Sequence, residues 1–175
     1  MSRKFFHLSG PSVALNAPNV TFKMHLTYSY TIPWNLSAHE IIQTYAHSTA
    51  RHLVFNCHGF ASRPDFPAPH LSLGTVFHAG NVSAFDPISQ YPTTQVIWLS
   101  ACNLAESSEG AEFCKEIARR SRCYVVTAVT AIGDVACAAN AIEDWYRSMP
   151  VYYSPKGELV ARTAFLSQAN SLGFK

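Results

Sequence analysis

Two apolar runs dominate this chain, His52-Leu53-Val54-Phe55-Asn56-Cys57-His58-Gly59 and Gln95-Val96-Ile97-Trp98-Leu99-Ser100-Ala101-Cys102. Each is short, rich in β-branched, aromatic and aliphatic residues, and bounded by turn formers. Each is therefore expected as a buried strand that delivers its last residue to a sheet edge. One run ends in a base, the other in a thiol. If the two strands lie near each other and run parallel, His58 and Cys102 emerge at one carboxyl edge, where open α/β sheets place their sites.

Working outward, Ser37-Ala38-His39-Glu40 matches a capping box ahead of a helix from about Ala38 to Thr49. Upstream, Val20 to Tyr30 alternates apolar and polar residues with a period near two, which predicts a strand with one wet face in an entry hairpin or edge strand. After Gly59, the prolines of Arg63–His70 predict a surface loop beside the site. Leu71 to Phe77 reads as one or two short strands, and Asn81 as the cap of a short helix that Pro87 interrupts or begins anew. Beyond Cys102, a helix from Ser107 or Ser108 to about Arg120, a strand over Cys123–Val129 and a helix from about Val135 to Arg147 continue the strand and helix rhythm of right-handed crossovers. Val151 to Val160 predicts a hairpin around Pro155-Lys156-Gly157, and the tail after Gln168 is expected to fray.

The expected fold class is α/β, with a mostly parallel central sheet, helices on both faces and an added N-terminal hairpin or edge strand. One domain is expected: N-terminal strands over residues 1–36, the core over 37–150, and a C-terminal hairpin and tail over 151–175. A chain of 175 residues with 48% apolar content supports one ordinary core. A net charge of +2 supplies no footprint for nucleic acid or an anionic membrane. Neither a continuous apolar h-region nor a run long enough to span a bilayer is present, so a cytoplasmic protein is expected. Five cysteines without a Cys-x-x-Cys pair fit reduced thiols in that compartment.

A thiol attacks as thiolate, and the carbonyl it attacks needs hydrogen-bond donors for its developing oxyanion. His58 is the candidate base; the backbone amides of Gly59 and Cys102 are the candidate donors. The plain alternative is a cysteine that closes an apolar strand and is simply buried, with a histidine that serves only packing. Zinc is a rival use of Cys57, His58, Cys102, His70 and His78, but their spacing matches no zinc signature. Cys102 also lacks the flanking glycines of an α/β-hydrolase nucleophile elbow. Cys57, next to the base, should point to the opposite side of its strand from His58 and belong to the core.

A hydrophobic block ending in His58-Gly59, a spacer, and a second block ending in Ala101-Cys102 together resemble the caspase-like cysteine peptidases. This clan CD holds caspases, gingipains, clostripain, legumains, separase and the bacterial CHAT domains. The ending Leu99-Ser100-Ala101-Cys102 is most similar to the CHAT version, and the resemblance covers roughly Ala38 to Arg147. It implies a three-layer caspase-like fold and a cysteine endopeptidase acting on a polypeptide substrate without a cofactor or metal. Residue by residue, it implies Cys102 as nucleophile, His58 as general base and acid, and the Gly59 amide as an oxyanion donor. Asp134 is a further candidate for contacting a basic substrate residue before the cleaved bond, with capping of the following helix as its alternative role. A non-proteolytic binding, effector or regulatory module of the same fold is the second reading.

Overall fold

Every residue of Ser12–Asn16, His52–Asn56 and Val96–Ser100 is buried, as strands covered on both faces must be. The computed structural model describes residues 5–129, 141–143 and 149–174. Its strands are β1 (Phe5–His7), β2 (Ser12–Asn16), β3 (Tyr28–Thr31), β4 (His52–Asn56), β5 (His58–Phe60), β6 (His70–Ser72), β7 (Val76–Phe77), β8 (Val96–Ser100), β9 (Tyr124–Ala128), β10 (Ala141–Glu143), β11 (Pro150–Tyr153) and β12 (Leu159–Val160). The helices are α1 (Ala38–Tyr45), α2 (Ser108–Ser121) and α3 (Arg162–Leu166), with a 3₁₀ segment at Ala79–Gln90.

Seven strands form the main sheet in the order β12-β11-β9-β8-β4-β2-β3. The five from β9 to β3 are parallel to one another, β11 is antiparallel to β9, and β12 is antiparallel to β11. Parallel neighbours need crossovers, which here run through α1, the 3₁₀ segment and α2. All three pack on one face: Ile41, Ile42, Val82, Phe85, Phe113 and Ile117 meet Leu15, Phe55, Leu99 and Val125. The opposite face, with Ala14, Val54, Trp98 and Val126, is covered by Phe6 of β1, Ile142 of β10, Phe165 of α3 and Phe174. The architecture is thus mixed α/β in three layers, with the longer helices on one face and a short helix, a two-stranded ribbon and the C-terminal segment on the other.

Local chemistry explains where the helices begin. Ser37 Oγ accepts from the Glu40 amide at 3.2 Å while the Glu40 carboxylate accepts from the Ser37 amide at 2.7 Å, closing the capping box. Ser107 Oγ accepts from Gly110 N at 3.0 Å to start α2. That helix ends where Arg122 takes the left-handed conformation at φ 56°, with Arg119 and Arg120 in its last turn, where cations suit the macrodipole.

Several expectations are corrected. The strand foreseen over Val20–Tyr30 is confined to Tyr28–Thr31, and β2 and β3 pair parallel, so the entry is an edge strand and not a hairpin. Helix α1 stops at Tyr45 instead of Thr49. His78 caps the 3₁₀ segment, with the Asn81 side chain reaching back to the His78 amide. Of the helix expected over Val135–Arg147, residues 141–143 form a strand antiparallel to β1, and the remainder lies outside the described residues. The Pro-Lys-Gly hairpin forms as expected, with Gly157 at φ +74°.

The tail after Gln168 is packed and not frayed. Phe174 is buried, stacks on Phe165 at 5.2 Å and meets Trp98 edge-on at 5.8 Å. Beneath it, the Trp98 indole N–H donates to His52 Nδ1 at 3.1 Å, so the other ring nitrogen, Nε2, donates to the Gly173 carbonyl at 3.0 Å. Arg51 adds a bond to the Ser171 carbonyl at 2.9 Å. Loss of water around His52 lowers its pKa from the ordinary 6.5 to about 4, against the Gly173 carbonyl and with a small push from Arg51.

A histidine held neutral in this way contributes stability at neutral pH that declines as pH falls from about 6.5 toward about 4. We expect the loss to reach about 3 kcal/mol at most. Denaturant midpoints measured across that window should fall more steeply for the wild type than for His52→Gln, whose amide can accept from Trp98 and donate to Gly173 without titrating.

Candidate active site

At the carboxyl edge of the sheet three strands finish level. Asn16 pairs with Asn56 and Asn56 with Ser100, giving a row of buried polar residues across β2, β4 and β8. Buried amides must find partners, and these find them in the chain above. Asn56 Nδ2 donates to Asn16 Oδ1 and to the Phe22 carbonyl, both at 2.8 Å. Asn16 Oδ1 also accepts from the Met24 amide at 2.7 Å, and Asn16 Nδ2 donates to Ser29 Oγ and to the Tyr30 carbonyl, each at 3.1 Å. Residues 22–24 are thereby drawn over the ends of β2 and β4, which is why their alternating pattern does not become a strand.

His58 and Cys102 leave the sheet side by side. The Cys57 amide donates to the Ser100 carbonyl at 3.2 Å, carrying the β4–β8 pairing one residue beyond the strands. Cys57 and Ala101 are both buried in the core on the helix side. The next residues, His58 and Cys102, are exposed and half-buried respectively. Gly59 then passes against the backbone of Cys102: a Cβ at Gly59 would lie 2.6 Å from the Cys102 carbonyl oxygen, 2.7 Å from Ala101 Cβ and 3.2 Å from the Cys102 nitrogen. Only glycine permits that approach. Directly after Cys102, Asn103 takes φ 55°, a left-handed conformation that asparagine tolerates better than most residues. The chain turns sharply there, and the amino end of α2, where the helix dipole favours negative charge, opens on the same edge.

The His58 side is built on a second, small sheet, β5-β6-β7. His58 faces Ser72 and Phe60 faces His70 across the antiparallel pair β5–β6. The Phe60 ring lies 6.5 Å from that of His58 and stacks on His70 at 4.9 Å, while the Arg63 guanidinium sits 4.7 Å from its centroid. The proline-rich loop closes on itself through Arg63 and Phe66, which exchange backbone bonds of 2.9 and 3.1 Å, and Phe66 meets His70 edge-on at 4.8 Å. The loop therefore stands as a braced wall beside His58.

The remaining candidates fall elsewhere. Burial, followed by the proximity of Cys102, pushes the Cys57 thiol pKa up, so Cys57 stays protonated in the core. His70 Nδ1 donates to the Ala68 carbonyl at 2.7 Å, and His78 Nδ1 accepts from Gly80 N at 3.1 Å, so the two histidines brace the loop and cap the 3₁₀ segment. Among the described residues no three His, Cys, Asp or Glu side chains form a group able to hold a metal ion. Asp134 lies outside the described residues. Within the described residues no helix is long and apolar enough to cross a membrane.

Sequence reasoning missed Asn16, Asn56 and Asn103. Two asparagines within or beside apolar runs, and one just after a strand's last residue, were signals that a polar position at a strand end is an anchor or a turn. No protein-family model matches this chain, and no curated protein matches it.

Two substitutions test the edge geometry by denaturation. Gly59→Ala should cost about 1–3 kcal/mol, because the new methyl meets backbone that cannot swing aside. Asn103→Val should cost about 1–2 kcal/mol, the penalty of left-handed backbone at a β-branched residue, whereas Asn103→Gly should leave stability within about 0.5 kcal/mol.

Proposed function

We propose that this protein is a cysteine endopeptidase of caspase-like fold, with Cys102 as nucleophile and His58 as its general base and acid. The reading is supported above all by the approach of Gly59 to the Cys102 backbone, which holds His58 and Cys102 at adjacent points of one edge. In the reaction, His58 accepts the Cys102 proton as the sulfur attacks the scissile carbonyl. The oxyanion is met by the Gly59 and Cys102 amides. His58 then protonates the leaving amine as the thioester forms. In the second half it takes a proton from water, which attacks the thioester and releases the acid, regenerating the thiol.

A peptide library offered to the wild type should be cleaved, and Cys102→Ala and His58→Ala should each lower kcat/KM by about three orders of magnitude or more. Labelling of Cys102 by an electrophilic peptide at an undiminished rate in His58→Ala would break the pairing. A wild type that binds peptides and cleaves none would instead leave a non-proteolytic module.

A further inference from the structure

We infer that Phe60 is a positioning residue of the site: its ring, covered on both faces by Arg63 and His70, packs against the His58 imidazole and holds it in the orientation from which it serves Cys102. The inference rests on the peptidase reading. A histidine on an exposed strand position has several side-chain rotamers open to it, whereas a base exchanges its proton from one. His58 is exposed, so the neighbours on its own face decide how far it is restricted.

The register of the small sheet shows which side chains those are. Successive residues of a strand point to opposite faces, and residues paired across antiparallel strands point to the same one. Gly59 pairs with Leu71, which is buried in the core. His58, Phe60, His70 and Ser72 therefore share the outer face, with His58 opposite Ser72 and Phe60 opposite His70. Phe60 sets its ring beside the imidazole, with 6.5 Å between centroids and 35° between planes. That is within the separation at which aromatic rings attract one another.

Phe60 is not free to turn away. The His70 ring stacks on it at 4.9 Å and 25°, and the Arg63 guanidinium lies over it at 4.7 Å. A ring and a guanidinium that close cannot share one face, so together they cover both, and the imidazole meets the rim. Each cover is itself tied down. His70 is buried, donates from Nδ1 to the Ala68 carbonyl at 2.7 Å and meets the Phe66 ring edge-on. Arg63 Nε lies 3.1 Å from the Asp65 carboxylate, and the Arg63 backbone is bonded to that of Phe66. An imidazole packed on a rim held in this way gives up its rotational freedom during folding and not during the reaction, which is what proton exchange with Cys102 requires.

Kinetics and nuclear magnetic resonance test the inference together. In the wild type, a nuclear Overhauser contact should join the Phe60 ring protons to the carbon-bound protons of the His58 imidazole. Phe60→Ala should lower kcat by about tenfold or more and leave KM within about twofold, since the ring is assigned no contact with substrate. Phe60→Tyr, which keeps the ring, should recover most of that loss. A merely structural ring would lower the melting temperature while leaving kcat per folded molecule unchanged, and that result overturns the inference. A rise in KM at constant kcat overturns it too, as does a wild type without the contact between the two rings. If Phe60→Ala does not fold, Phe60→Leu is read by the same criteria. If the wild type cleaves no peptide, the peptidase reading falls, and the His58 side-chain couplings in the wild type and in Phe60→Ala decide what remains. One rotamer in the wild type that becomes an average in the variant sustains the orientation, and the same couplings in both overturn it.

Discussion

Strands β4 and β8 pair in parallel, in a register that sets Asn56 beside Ser100, and this pairing dictates how the chain between and beyond them must run. Two parallel strands cannot be joined by a tight turn, so the chain between them must cross the sheet's face, and it does so through the small sheet and the 3₁₀ segment. Because the strands end level, the residues just beyond them are delivered to one edge. Those residues are His58-Gly59 after β4 and Ala101-Cys102 after β8. A slip of one residue would move every side chain of a strand to the other face, and the thiol would then lie in the core where Cys57 now lies.

The two faces of the sheet are closed by different means. On the helix side, amphipathic helices bring whole apolar stripes to Phe55 and Leu99. On the other, the cover is assembled from distant pieces: Phe6 near the start of the chain, and Phe165 and Phe174 near its end, all gathered around Trp98. Such a patchwork is held by a few directional bonds. His52 joins Trp98 to Gly173 in a single hydrogen-bonded line and stays neutral because its surroundings are dry. The C-terminal segment is in this sense part of the core of the strand that leads to His58.

A second polar device works at the carboxyl edge. Asn16 and Asn56 are buried where strands normally bury hydrocarbon, and a net gain of about 0.5–1.5 kcal/mol per bond would be lost if any partner were missing. Besides each other and the Ser29 hydroxyl, their partners are backbone groups of Phe22, Met24 and Tyr30, so the pair fixes a loop above the strand ends. The same edge carries the left-handed turn at Asn103 and the braced wall of Phe60, His70 and Phe66. These elements stand on the same edge as the exposed His58 and the half-buried Cys102.

Local sequence is enough to read the two key strands, their apolar content and end points, the capping box at Ser37 and helix α2, and to nominate His58 and Cys102 as the candidate pair just beyond the two strand ends. These are short-range properties, legible because periodicity, caps and turn formers act within a few residues. Which strands become neighbours, and how long each alternating segment remains a strand, is settled only in the folded chain. Val20–Thr27 has a strand's pattern, yet Asn16 and Asn56 offer its backbone better partners than another strand does. Residues 168–174 have an ordinary composition for a tail, yet a gap over Trp98 and a donor on His52 claim them. In both cases a decisive partner lies outside the segment, Asn56 34 residues from Phe22 and His52 121 residues from Gly173, and no pattern within a segment can carry the identity of a partner that only folding brings to it.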